Sequence, residues 1–317
     1  AIVALISFIA VIYPLVIILR VPVLSTLKKQ VFAHKYLISQ KVIITFQYVL
    51  AIVLLISTII VSRQLSMMLN KDLGFTSNSV VSVKFFTRIR SPRNLSMDEY
   101  LKKDSLQKSN IQYVNQELAS SPFIETFSLG DSPLKPYSMG SKIENGTEDY
   151  TVQNWLSVSP GYADVFGLKL MKGRFFNSDM DKNGEYKVVV NEAALKYWNI
   201  RQIDGEYILN SSWNDGKYKI IGVVRDFNYA HLSSSTQPMV MNNLTFVESE
   251  YLIRFNKARV KEGLNFVRSL YNKVNPDQTF TYQFIDDEIS ALYLKEKQLS
   301  RVYILFKGPY LISGNIP

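Results

Sequence analysis

Two stretches without a charged residue, AIVALISFIAVIYPLVIIL (1–19) and VIITFQYVLAIVLLISTIIVS (42–62), bracket a short basic segment. Each can cross a hydrocarbon core of roughly 30 Å as a helix rising about 1.5 Å per residue. The chain is therefore expected to carry at least two transmembrane helices. A signal peptide would need basic residues ahead of the first run and a small-residue cleavage site after it, and the sequence offers neither. Because the first residue already lies inside an apolar run, the chain is expected to be a fragment or a processed product. Gln47, the strongly polar residue of the second run, lies near one end, where it reaches the interface.

The segment between the runs decides orientation. Residues 20–41 contain Arg20, Lys28, Lys29, Lys35 and Lys41 and no acid, which accounts for five of the nine net positive charges. The charge is thus concentrated beside the membrane and not spread over a nucleic-acid-binding face, and no nucleic-acid partner is expected. The positive-inside rule makes this loop cytoplasmic and places everything after Ser62 outside. The absence of cysteine excludes a disulfide framework, a thiol nucleophile and a thiolate-bound metal. Two histidines, His34 and His231, offer little for a metal cluster.

Residues 63–299 read as globular. SVVSVKFF (79–86) alternates as a strand does, and residues 96–122 read as a helix. Ser96 and Glu99 open that helix as a capping box, Ile111, Val114 and Leu118 share a face, and Ser121-Pro122 ends it. FIETFSLG (123–130) completes a β-α-β unit. The same plan returns in EYLIRFN (250–256), a helix over 257–276 with a Val260, Leu264, Val267, Tyr271, Val274 stripe, and TFTYQFID (279–286). Two such units sharing one sheet imply an α+β domain with a ferredoxin-like layer. Residues 131–249 form a smaller β-rich insert between them. Within it, SPGYADVFG (159–167) reads as a short helix capped by Ser159, with Pro160 first and Gly167 as stop. YKVVVNEAALKYW (186–198) reads as a strand entering a helix capped by Asn191, while GEYILN and YKIIGVV read as strands.

Motifs that could carry chemistry resolve into structural ones. DMDKNG (179–184) opens like a calcium loop, but position twelve is Val190, so a tight turn is the better reading. Asp286, Asp287 and Glu288 oppose the positive end of a helix dipole and do not form a metal cluster. Four glycosylation sequons, at Asn94, Asn145, Asn210 and Asn243, are short enough to arise by chance. The sequence has neither a phosphate-binding G-x-x-x-x-G-K-[ST] loop nor a serine–histidine arrangement. His231 reads as a hydrogen-bonded structural residue. No catalytic, cofactor-binding or metal-binding residue is expected, and no enzyme activity.

Taken in order, YPLVIILRVPVLSTLKK, TFQYVLAIVLLISTIIVSRQLSMMLNKDLGF, SVSPGYADVFGLKLMKGRFF, VVVNEAALKYW, IIGVVRDFNYAHL and YLKEKQLSRV resemble permeases of the MacB/FtsX type, the membrane subunits of ABC transporters. The resemblance implies a duplicated permease. In it, 1–19 ends the first half, 20–41 is the loop between halves and 42–62 opens the second. Residues 63–299 are then a MacB-like periplasmic core, with 63–130 and 250–299 as the β-α-β subdomain and 131–249 inserted. KGPYLISGNIP cannot complete a span, so 300–317 is an incomplete start of a further helix and the rest of the permease is absent. The implied partners are a cytoplasmic ABC-type ATPase, the remaining permease, a periplasmic adaptor or lipoprotein, and the bilayer. The implied location is the inner membrane, multi-pass. The implied role is to carry ATP-driven motion to the periplasmic domain for export or extraction of an envelope substrate. A sensory ligand-binding ectodomain between two membrane helices is the competing reading. On the first, IIGVV is a core strand and RDFNYAHL its return, with Arg225 and Asp226 as a subdomain joint.

Overall fold

The computed structural model describes residues 33–69, 72–89, 96–146, 149–181, 185–211, 216–230, 236–246 and 249–294. The first apolar run, most of the basic loop, His231 and the segment after 294 lie outside them. Helix α1 (Ala33–Leu69) contains the second run. Its Lys41–Val61 portion, with mean hydropathy 2.5, is the one helix among the described residues long and apolar enough to cross a membrane. It exposes apolar side chains all round, which suits lipid. The hydroxyls of Thr45, Ser57 and Thr58 donate to Lys41 O, Val53 O and Leu54 O at 2.8, 2.8 and 2.7 Å, so they leave no unpaired group in hydrocarbon.

The remaining described chain runs β1 (Val80–Val83), α2 (Met97–Ser120), β2 (Ile124–Gly130), β3 (Tyr137–Ile143), β4 (Thr151–Ser157) and α3 (Tyr162–Phe166). Then follow β5 (Leu170–Gly173), β6 (Lys187–Asn191), α4 (Glu192–Tyr197), β7 (Tyr207–Asn210), β8 (Gly216–Val224) and β9 (Met239–Asn242). It ends with β10 (Glu250–Phe255), a 3-10 turn (Lys257–Arg259), α5 (Val260–Val274), β11 (Gln283–Phe284) and α6 (Ile285–Leu292).

Strands β11, β1, β10 and β2 make a four-stranded sheet in that order, antiparallel throughout. Helices α2 and α5 cover one face. Val114 and Leu118 of α2 and Val267, Leu270 and Tyr271 of α5 pack on Val81, Val83, Tyr251, Ile253 and Phe255. The capping box forms as its spacing requires: Glu99 N donates to Ser96 Oγ at 3.3 Å, and Ser96 N to Glu99 Oε2 at 3.1 Å. The last strand is only two residues long. Ile285 turns into the core as the first residue of α6, where Asp286 and Asp287 favour the helix start.

Seven strands make the second sheet. One edge of β8 pairs with β6, and the other pairs with β7 near Lys219 and with β5 near Val223. Because β7 also pairs with β3, six strands close on themselves in the order β8-β6-β9-β4-β3-β7. Alternate residues, among them Trp155, Val188, Val190, Ile208, Tyr218 and Val240, fill the inside. On β4, β6, β8 and β9, intervening residues face the first sheet. There Leu156, Val189, Val224, Met239 and Met241 share one buried cluster with Val80, Leu252 and Ile285. Between the two sheets sits the five-residue helix α3.

Candidate functional site: the junction around α3

Closure of the barrel does not say how the two sheets are joined, and the polar contacts at their boundary do. Strand β2 leaves the first sheet and meets the end of β4. Gly130 bridges to Val158, Asp131 N donates to Ser157 O at 2.9 Å, and Ser157 N donates to the Asp131 carboxylate at 2.7 Å. A side chain cannot fit at Gly130, where a Cβ would lie 2.4 Å from Ser157 O. Ser159 does not cap the short helix as its sequence position suggests. Its hydroxyl instead accepts from Leu129 N at 3.0 Å and lies 2.7 Å from Ser128 Oγ, so it fastens the segment to β2. Helix α3 accordingly starts at Tyr162, after Gly161.

Two anchors lie at opposite ends of α3. The first is Glu288, in the first turn of α6, with a side chain only 4% exposed. It accepts from Ser132 Oγ at 2.5 Å and is ion-paired with Lys135. The fully buried Tyr162, at the start of α3, donates its hydroxyl to Asp131 O at 3.1 Å, one residue before Ser132. Burial holds the Tyr162 hydroxyl well above the usual phenol range, so it stays a donor. Burial also raises the Asp131 carboxyl, an effect partly offset by the bond from Ser157 N.

The second anchor is Arg254, a buried cation on β10. Its Nε donates to Val165 O at 2.8 Å, and a terminal nitrogen reaches both Val165 O and, at 3.1 Å, Thr76 O. Burial lowers its pKa, while the Glu125 charge opposes the shift. Thr76 N donates to Phe166 O at 2.7 Å, so the segment before β1 and the end of α3 are tied by backbone as well. Gly167, at φ 60°, provides the left-handed stop of α3. Phe75 packs edge-on against Phe166 and Phe227, at ring separations of 5.8 and 6.1 Å.

The residues singled out beforehand sit nearby. Asp226 Oδ1 accepts from Ala193 N at 2.8 Å, and Asp226 N donates to Glu192 Oε2 at 3.1 Å, so both bonds of Asp226 serve α4. The side chain of Arg225 is exposed, and its N–H donates to Lys169 O at 2.8 Å. The backbone after them reaches the segment before β1, where Asn228 N donates to Leu73 O at 2.7 Å. Glu288, Arg254 and Tyr162 were missed as site residues. A signal existed for Glu288: with Ile285, Ile289 and Leu292 it lies on one helical face, so an acid interrupts an apolar stripe.

Of the calcium-like segment 179–184, residues 179–181 lie among the described ones. Asp181 takes Arg174 in a two-pronged pair at 2.9 and 2.5 Å and Lys187 at 3.0 Å. Among the described residues, no group of three or more His, Asp or Glu could hold a metal ion.

The family model of the MacB-like periplasmic core domain matches residues 46–280. No curated protein matches the chain. Among solved structures, the periplasmic region of MacB from Actinobacillus actinomycetemcomitans is similar at 16% identity over 71% of this chain and 98% of that one, with a TM-score of 0.42. The extracellular domain of the noncanonic ABC-type transporter YknZ from Gram-positive bacteria is similar at 12% identity, over 64% and 98% of the two chains, with a TM-score of 0.42. A domain of a putative permease protein from Porphyromonas gingivalis is similar at 15% identity, over 66% and 90%, with a TM-score of 0.40.

Proposed function

The chain belongs to the family of MacB-like periplasmic core domains, and from that premise we propose that it is part of the membrane subunit of an ABC transporter of the MacB/FtsX type. One observation carries the reading. The matched region begins at Phe46 inside the helix of membrane-spanning length and continues to residue 280 in the globular part, which supports reading the two as a membrane segment and its ectodomain.

On this reading residues 1–19 and 42–62 are spans, 20–41 is cytoplasmic and 63–299 is the extracytoplasmic core, with 131–249 inserted and 300–317 entering a further span. The β11-β1-β10-β2 order supports treating the four-stranded sheet as a ferredoxin-like layer. ATP is hydrolysed by a cytoplasmic partner, and this chain passes the resulting motion to its periplasmic domain, in the inner membrane, for export or extraction of an envelope substrate. A periplasmic adaptor or lipoprotein takes up that motion beyond it. Arg225 and Asp226 mark the place where β8 passes into the turn that joins the subdomains. Asp226 fixes that turn to α4, and two residues on Asn228 N reaches Leu73 O, so the joint is a fixed one. The full-length protein, affinity-purified from its native membranes in mild detergent, should bring an ABC-type ATPase with it in fixed ratio. Recovery without any such ATPase, from membranes that contain one, would sink the reading.

A further inference from the structure

The two anchors have one element in common. The segment before β1 is the chain arriving from helix α1, and it is held through Thr76 by Phe166 O and Arg254. Helix α6 stands at the other end of the described ectodomain and is held through Glu288 by Ser132 and Lys135. Helix α3 bonds directly at the Arg254 anchor and reaches the residue beside Ser132 at the Glu288 anchor. Its last residues, Val165 and Phe166, supply the carbonyls at the Arg254 anchor, while its first residue, Tyr162, bonds to Asp131 beside the Glu288 anchor.

We propose that α3 is a coupling strut: it links the anchor of the segment before β1 to the anchor of α6, so that releasing one loosens the other. A single helical turn lets this happen for a physical reason. It has too few internal hydrogen bonds to stand alone, since isolated helices this short are unstable in water. Its conformation therefore depends on contacts at both ends. Freeing Tyr162 removes a fixed point at the start, and freeing Arg254 leaves Val165 O without its donor in a buried place. Three of the five residues, Tyr162, Val165 and Phe166, are fully buried, so a shift at one end is passed on by packed side chains. The purpose of the coupling rests on the permease reading, but its existence does not.

Hydrogen exchange on the full chain in detergent, without any ATPase, measures it. In Glu288→Gln, exchange over 72–79 and 163–168 should rise about tenfold, while β6 keeps its protection. In Arg254→Gln, the Asp131–Ser132 peptide should respond in turn. Adding Tyr162→Phe, which removes one hydroxyl and keeps the ring, should abolish the response of 72–79 to Glu288→Gln. If Glu288→Gln loosens β6 as well, Lys135→Ala decides, because its side chain is 55% exposed and its loss leaves no buried void. Unchanged protection over 72–79 in whichever of these two variants stays folded overturns the proposal. So does a response that persists undiminished in Tyr162→Phe. Neither result touches the permease reading, which stands or falls on the ATPase co-purification.

Discussion

Asp131 and Asp181 are both acids with little water around them, and their partners give them opposite roles. Arg174 pulls the Asp181 carboxyl well below the usual carboxylate range, with help from Asn177 N and Lys187. A carboxyl lowered in the folded state contributes stability above its ordinary value, near 3.8, and loses it as pH falls through the folded value. Asp181→Asn should therefore cost about 3 kcal/mol at neutral pH. The gap to wild type, followed by thermal unfolding, should shrink only below about pH 4. Asp131 behaves in the reverse sense. Its carboxyl is raised by burial, so its ionised form costs stability as pH rises from the ordinary value toward the folded one. Asp131→Asn keeps an acceptor for Ser157 N and should be much the milder change at neutral pH. Equal losses in the two variants would show that burial does not set the Asp131 shift. At the same scale, Gly130→Ala places a methyl group 2.4 Å from Ser157 O and should destabilise the junction by about 2 kcal/mol, read in the urea midpoint.

Among the elements, those with local signatures could be read from the sequence, and those defined by distant partners could not. Helix α2 announced itself with Ser96, Glu99 and the Val114–Leu118 stripe, and α4 with Asn191, whose side chain accepts from Ala194 N at 3.0 Å. Strands β3, β4, β5 and β9 were not anticipated. Strands β4 and β9 lie between two buried clusters, so Trp155 and Leu156, or Val240 and Met241, are buried side by side and the alternation disappears. Buried polar residues blur the pattern further, since Ser141 sits inside to accept from Trp155 Nε1 at 2.8 Å. The pairings at the junction were illegible for the same reason: Glu288 meets Ser132, and Arg254 meets Val165 and Thr76, only across the fold. The acid in the apolar stripe of α6 could be seen, but its partners could not. The capping box offers a test at this scale. Ser96→Ala should weaken α2 by about 1 kcal/mol. Only Val114 and Leu118, late in the helix, are buried, so the loss should appear as faster exchange in the first turns with little change in global melting. The basic loop offers another. Cysteines placed at Ser25 and Ser105 of this cysteine-free chain should react in whole cells with an impermeant thiol reagent at Ser105 alone. Labelling at Ser25 and protection at Ser105 would reverse the orientation.

For the molecule as a whole, the shared core decides whether the inserted barrel can move as a separate lobe. Residues 131–249 interrupt the first layer in sequence, which suggests a subdomain swinging on a joint. The packing argues otherwise. Leu156, Val189, Met239 and Met241 from the barrel, and Val80, Leu252 and Ile285 from the other side, lie in one cluster and are fully buried. Opening that boundary would expose all of them, at about 1.5–3 kcal/mol for each large side chain. The ectodomain should therefore unfold in one cooperative transition, with motion entering through the anchors at α3 and not through a gap between lobes. Met241→Ala and Leu252→Ala truncate this cluster from opposite sheets, and each should cost about 2–5 kcal/mol. If the core is one unit, either change lowers the protection of β6 and β10 amides by the same amount, because both are released only by global opening. Should Met241→Ala expose β6 while β10 keeps its wild-type protection, the barrel is an independent lobe. The Arg225–Asp226 turn would then have to act as its hinge.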